Sequence, residues 1–177
     1  MKIALIVGSL STGSINRNFA TELEKLLPSD VSFENVDIDF PLFSEDKESN
    51  VSEVVKKAKS TIVDADGVLI ITPEYNRGVT GVLKNAIDWI SRPYGQNSFD
   101  RKQVVLAGVS GGSLGTAPAQ QHLKAIMLYL NANVLGQPEM YLQNSKVFNS
   151  DGSIKEESKD LILSFVDAMI EHISTHK

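Results

Sequence analysis

The sequence predicts an α/β fold, a doubly wound arrangement on a parallel central sheet, and three observations carry the prediction. Ile3–Val7, Val68–Ile71 and Val104–Val109 are runs of apolar and small residues with no polar alternation. A strand buried on both faces looks like this, and strands of that kind belong to parallel sheets covered by helices. Each run leads through a loop rich in Gly, Ser or Asn into a stretch with apolar residues at helical spacing. The alternation of strand and helix then repeats along the chain, which is the pattern of a doubly wound sheet.

Taken in order, Ile3–Val7 is the first strand and Gly8–Ser14 the loop after it. Ile15, Phe19, Leu23 and Leu26 fall at helical spacing and predict a first helix ending near Pro28. Val31 to Asp37 alternates loosely, as an edge strand does. Phe40 to Asn50 is a mostly polar, acidic loop with no expected site. Val51, Val54, Val55, Ala58 and Ile62 mark the second helix, Val68–Ile71 the third strand and Val82–Ile90 the third helix. After a loop at Pro93–Asn97 come the strand Val104–Val109, the loop Ser110–Thr116, and a helix marked by Leu123, Ile126, Met127 and Leu130. Val134–Leu135 with Met140–Tyr141 predict a short fifth strand around Gly136 and Pro138, and Leu161, Phe165, Met169 and Ile173 a last helix. Five strands and five helices in this length fit the flavodoxin-like doubly wound parallel five-stranded sheet, order 2-1-3-4-5. Strands one and three are then neighbours, the connection reverses between them, and ligands bind outside that crevice.

Residues 1–177 are expected to form one domain, with 42% hydrophobic residues to fill its core. A net charge of −5 and the absence of a basic run exclude an electrostatic nucleic-acid or membrane-surface binder. The chain has no cysteine, which removes disulfides, thiolate zinc and thiol catalysis and fits a cytoplasmic setting. Met1–Gly8 reads as a strand and not as a leader, and no stretch approaches the length of a membrane span.

Three loops lie at the carboxyl edge of this sheet. In the first, Gly8 and Gly13 let the backbone curl, while Ser9, Ser11, Thr12, Ser14 and Asn16 bring donors to a helix N-terminus. Unpaired N–H groups and the positive end of the helix dipole hold a phosphate there. Gly8-x4-Gly13 is followed by Ser14-Ile15, so the lysine of a P-loop is missing, and no G-x-G-x-x-G occurs. A phosphate monoester suits this loop better than a triphosphate. Its plainer alternative is an N-cap by Ser14. The middle loop, Thr72–Gly81, carries Pro73, Glu74, Tyr75, Asn76 and Gly78. Tyr75 would wall a planar ring, and N–H groups near Asn76 and Gly78 would reach its heteroatoms. The alternative there is a surface turn set by Pro73 and Gly78. The third loop, with Ser110, Gly111, Gly112 and Gly115, would donate N–H groups to ring carbonyls, or serve as a plain strand–helix connection. Three such loops at one edge favour a flavin site.

Other candidates are weaker. His122, His172 and His176 have no metal spacing and read as surface side chains. Trp89 falls in an apolar helical pattern and reads as core or subunit contact. Gly108–Gly112 matches a G-x-S-x-G nucleophile elbow in form, but the residues after it delay the helix, and no acid–histidine pair follows.

Gly8-Ser9-Leu10 with Ser14 and Asn16, then Pro73-Glu74-Tyr75-Asn76, then Gly81 to Trp89, resemble the NADPH-dependent FMN reductase family, whose members include quinone, azo-dye and chromate reductases. Gly111, Gly112, Gly115 and Gln120 resemble its third flavin loop, and Pro138-Glu139 with Phe148, Asp151 and Gly152 its C-terminal segment. The resemblance implies a flavodoxin-like fold with FMN bound, and NADPH or NADH as reductant. It places Ser9, Ser14 and Asn16 at the FMN phosphate, and counts Leu10, Ile15, Gly78 and Gly115 among the cofactor-binding positions. It places Pro73, Glu74, Tyr75 and Asn76 at the isoalloxazine and ribityl chain, and Ser110, Gly111 and Gly112 at the pyrimidine side. It implies hydride transfer through FMN to a quinone, azo compound, flavin or similar small-molecule acceptor in ping-pong order, with no side chain as catalyst. It further implies a homodimer or homotetramer. The alternative is a flavodoxin-type electron carrier, which lacks the Pro-Glu-Tyr-Asn loop and is more acidic. Many members have Arg where this chain has Ser11; Arg17 and Arg77 are the candidates to take its part in choosing between NADPH and NADH.

Overall fold

The structure, a computed structural model, describes residues 1–175. The elements in chain order are β1 (Lys2–Val7), α1 (Ile15–Glu24), β2 (Ser32–Asn35), α2 (Glu53–Asp64), β3 (Gly67–Ile71), α3 (Gly81–Ile90), β4 (Gln103–Ser110), α4 (Ala117–Tyr129), β5 (Asn133–Val134), β6 (Met140–Gln143), α5 (Asn144–Val147) and α6 (Glu156–Ser174). All strand pairings are parallel, in the order β2-β1-β3-β4-β5, with β6 also on β4. This is the flavodoxin-like order the sequence predicts.

Period-two side-chain direction explains why the central strands read as unbroken apolar runs. In β1, Ala4 and Ile6 face one layer, with Val55 and Ile62 of α2, Leu83 and Ile87 of α3 and Leu123 and Met127 of α4. Ile3, Leu5 and Val7 face the other, with Phe19 and Leu23 of α1 and Phe165 and Met169 of α6. Both faces are buried, so neither admits a polar residue cheaply.

The fifth position of the sheet is two short strands. β5 pairs with Gln103 and Val104 at the start of β4, and β6 with Ala107–Ser110 at its end. Gly136 and Pro138 lie between them, and a proline cannot donate to a ladder. The first helix stops before Pro28: Leu26 and Leu27 turn their N–H groups back three residues, to the carbonyls of Leu23 and Glu24, and tighten the end. The acidic loop contains one 3₁₀ turn, Glu45–Lys47. It is tied to α3 by the motif residues Asn85, which accepts from Phe43 N at 2.8 Å and donates to Pro41 O at 3.0 Å, and Trp89, whose Nε1 donates to Pro41 O at 2.8 Å. Trp89 is buried, as its helical pattern predicts.

At the amino edge the helix ends are closed by lysines. Lys59 Nζ donates to the carbonyls of Ile90, Arg92 and Gln96 at 2.6–2.8 Å, and Lys102 Nζ to those of Val63 and Ala65. A cation there satisfies orphan carbonyls and meets the negative end of the helix dipole. Among the described residues no helix is long and apolar enough to cross a membrane.

Candidate active site

A cleft of about 230 Å³ opens at the carboxyl edge, where β1 and β3 are neighbours. All three loops border it: Ser9, Ser11, Gly13, Ser14, Ile15 and Asn16 from the first, Pro73, Glu74 and Tyr75 from the second, and Val109, Ser110 and Gly111 from the third. Ser11 and Gly13 line it with the other first-loop residues expected from sequence, and Val109 joins them unforeseen. Leu10 does not; it lines a separate cavity between α1 and the segment after β2. Asn76, Gly78, Gly112 and Gly115 lie outside the lining as well.

The first loop is fixed by buried contacts. A Cβ on Gly8 would come to 3.0 Å from Leu83 Cδ2 and 3.3 Å from Pro73 Cδ, so this glycine lets the first two loops approach. Thr80 Oγ1 donates to Gly8 O at 2.8 Å and accepts from Leu83 N. One hydroxyl is thus both the cap of α3 and a tie to the first loop. Ser14 caps α1 by accepting from Arg17 N at 3.3 Å. Asn16 is 1% exposed and clamps the end of β4: Nδ2 donates to Val109 O at 2.9 Å, and Oδ1 accepts from Val109 N at 2.8 Å. That amide is occupied by the strand, so what Asn16 offers the cleft is its main-chain N–H. The N–H groups of Ile15 and Asn16 have no protein partner among the described residues. Arg17, exposed and outside the cleft lining, donates from Nη2 to Ser9 O at 3.1 Å. An open helix N-terminus flanked by the hydroxyls of Ser9, Ser11 and Ser14 is an arrangement suited to an anion.

The middle loop is a hairpin turn. Tyr75 N donates to Gly78 O at 3.2 Å and Gly78 N to Tyr75 O at 3.0 Å. Asn76 and Arg77 between them have φ of 51° and 62°, the left-handed pair of a type I′ turn. The Gly78 N–H is therefore spent inside the turn, while that of Asn76 has no partner among the described residues. Tyr75 is 62% exposed at the edge of the cleft, where it can wall a flat ligand. Glu74 turns its side chain inward: Oε1 accepts from Arg77 Nη1 and Oε2 from Ala119 N, both at 3.2 Å.

In the third loop, Ser110 Oγ donates to Gly115 O at 2.5 Å and accepts from Gly112 N at 3.2 Å. Gly115 has φ +58°, and a Cβ there would fall 2.5 Å from Tyr141 C. Its duty is a close seat against β6, enforced sterically. Gly108 is similar, since a Cβ would reach 2.3 Å from Thr72 O. Gln120 is buried and donates to Thr116 Oγ1 at 2.8 Å and Met140 O at 2.9 Å. Nearby, Tyr141 Oη donates to Glu139 Oε1 at 2.5 Å and Lys124 Nζ to the same oxygen at 2.6 Å. The hydrogen bonds from Lys124 and Tyr141 hold the Glu139 carboxyl below its ordinary range, and burial followed by the bond to Glu139 raises the Tyr141 phenol.

Ser110 is not a nucleophile elbow. An elbow turns directly from strand to helix, whereas β4 ends at Ser110 and α4 begins at Ala117. The Ser110 hydroxyl is tied to its own loop and not to an imidazole. His122 is exposed beside Gly78, and His172 Nε2 donates to Asn133 O at 3.0 Å. His176 lies outside the described residues.

Comparisons with known proteins place nearly the whole chain beside flavin-dependent reductases. Residues 1–146 match the family described as NADPH-dependent FMN reductase. A 2-hydroxy-1,4-benzoquinone reductase from Burkholderia sp is 45% identical over 170 residues, 94% of this chain and 93% of its own length. A quinone reductase from Pseudomonas putida is 35% identical over 178 residues, 99% of this chain and 96% of its own. Among solved structures, FerB, a flavoenzyme NAD(P)H:(acceptor) oxidoreductase from Paracoccus denitrificans, matches with a TM-score of 0.92 at 38% identity, covering 99% of this chain and 98% of that one.

Proposed function

The chain belongs to the NADPH-dependent FMN reductase family, and from that premise we propose how its own residues serve an FMN-dependent NAD(P)H oxidoreductase with a quinone-type acceptor. The observation that carries the assignment is the pair of unpartnered N–H groups at Ile15 and Asn16, beneath Ser9, Ser11 and Ser14, opening into the cleft that Tyr75 edges. A phosphate ester fits this donor set, and a flat ring system fits the space between Pro73–Tyr75 and Ser110–Gly111. Ser14 and the start of α1 hold the phosphate. Tyr75 and the main chain of Pro73, Glu74 and Asn76 hold one side of the ring, and Ser110 and Gly111 the other. Leu10, Gly78, Gly112 and Gly115 shape these loops.

FMN supplies the hydride chemistry when bound. The protein orients the partners and aims main-chain dipoles at the ring, which costs no reorganisation during reaction. One cleft serving reductant and acceptor in turn supports a ping-pong order. The same proposal takes residues 1–177 as one FMN-binding unit, places it in the cytoplasm, and makes it a homodimer or homotetramer. Exposed Leu10, Tyr75 and Leu114 on the cleft loops support the oligomer. A flavodoxin-type carrier is disfavoured, because the relatives matched over nearly their full length are reductases.

The test is an absorbance spectrum of the purified protein incubated with FMN, before and after anaerobic NADPH. Retained flavin bands that bleach on NADPH support the reading. Bands that persist point to the electron carrier, and no retained flavin removes the site assignment.

A further inference from the structure

The first turn of α4 accounts for its backbone donors in an unusual way. A helix start leaves four N–H groups without intrahelical partners. In α4, Ala117 N donates to Leu114 O at 3.2 Å, Pro118 has no N–H, and the first intrahelical bond is that of Gln120 N to Thr116 O at 2.9 Å. The ordinary cap is unavailable: Thr116 makes no side-chain cap bond, and its hydroxyl accepts from Gln120 Nε2 instead. Ala119 N remains, and its partner is Glu74 Oε2, contributed by the middle loop 45 residues earlier. The Glu74 side chain is only 7% exposed, and its other oxygen accepts from Arg77. A buried carboxylate is tolerated where it is hydrogen-bonded and faces a positive helix end.

We infer that Glu74 is a positioning residue: by capping α4 from the opposite loop and tethering Arg77, it fixes the separation of the middle and third loops and the set of the strained hairpin beside the flavin cleft. Asn76 and Arg77 occupy left-handed backbone, which costs free energy unless surrounding contacts over-determine it. The Arg77–Glu74 bond is the side-chain contact that holds the hairpin's second central residue. Pro73, Glu74 and Tyr75 line the cleft through the segment anchored in this way, and Ser110 and Gly111 line it on the side that leads into α4. The side chain of Glu74 therefore acts on cofactor and reductant through other residues. This inference rests on the reading that FMN occupies the cleft.

The test compares Glu74→Ala and Glu74→Gln with the unaltered protein, each loaded with FMN. Flavin fluorescence titration gives FMN affinity, visible circular dichroism reports the ring's surroundings, and anaerobic stopped-flow bleaching by NADPH separates maximal rate from NADPH dependence. The Gln amide still offers a carbonyl to Ala119 N–H but places an NH₂ against the Arg77 guanidinium. The expected result for Gln is FMN affinity lowered no more than about threefold, with NADPH half-saturation raised about fivefold, the scale of one lost hydrogen bond. For Ala, FMN binding weakens about tenfold and the flavin dichroism changes, the scale of one lost charge-assisted cap. Equal FMN affinity, dichroism and bleaching in all three proteins would overturn the inference. So would equal losses of thermal stability in both variants with unchanged behaviour per bound flavin. Failure of the unaltered protein to take up FMN is a different result, and removes the reading of the site itself.

Discussion

α1 and α4 begin at the same edge of the same sheet and treat their backbone donors in opposite ways. At α1, Ser14 satisfies one N–H and those of Ile15 and Asn16 are left facing the cleft. At α4, Ala117 and Ala119, the N–H donors of the first turn past the cap residue, both have partners inside the protein, the second supplied by Glu74. The amino edge resembles α4, with Lys59 and Lys102 closing the helix ends there. Local propensity does not make this distinction, since both helices follow Gly- and Ser-containing loops. What differs is whether another part of the fold reaches the helix end. A start left open can take an anion, and a start closed from across the cleft becomes a strut.

The comparison breaks most completely if the seat of the third loop is lost. Gly115→Ala puts a Cβ within 2.8 Å of three backbone atoms of Tyr141 and Leu142, at φ +58°. The expected loss is about 3 kcal/mol, read as a lower urea midpoint, together with loss of FMN binding. Asn16→Leu attacks the other helix: it strands Val109 N–H and C=O at the end of β4, and should cost about 2 kcal/mol. The sharper readout is FMN affinity at a temperature where the variant stays folded. A fall there shows that the clamp aims the open N–H groups, and unchanged affinity shows that it only holds α1 to the sheet.

Ser14→Ala removes the one internal cap of α1 and should lower stability by about 1 kcal/mol, a deficit expected to widen when FMN is added. If the deficit is the same with and without FMN, Ser14 caps the helix and does not touch the phosphate. The smallest effect is a pH dependence. The folded-state pKa of Glu139 is lowered by Lys124 and Tyr141, so its contribution is present above the ordinary glutamate pKa and declines as pH falls through the folded value. Glu139→Gln should flatten that part of the acid unfolding profile slightly, because the group is partly exposed and screened. An identical profile would mean that the anchor between α4 and β6 rests on Gln120 and Gln121 without the Glu139 charge.

Much of this architecture is legible in the residues. The runs at Ile3, Val68 and Val104 mark strands because burial on both faces permits only apolar or small side chains, and a period of two conceals nothing. The loops at Gly8, Pro73 and Ser110 follow from strand order, since alternate crossovers put them at one edge. The pairing of apolar pattern with Gly-rich punctuation also carries α3 and Trp89 correctly. The split at Gly136 and Pro138 is visible, though not that both pieces would pair with β4.

The residues by themselves determined which segments are buried, in what order they lie and which loops meet, because those follow from periodicity and chain connection. The tertiary structure alone decided the use of each polar group. Asn16 reads as a phosphate donor until Val109, 93 residues away, claims its amide. Glu74 reads as a cofactor contact until Ala119 claims its carboxylate. Gly115 reads as a ring donor until its place against Tyr141 gives it a steric duty. A hydrogen bond needs its partner within about 3 Å and in line, and sequence spacing says nothing of that distance once the partners belong to different strands and helices.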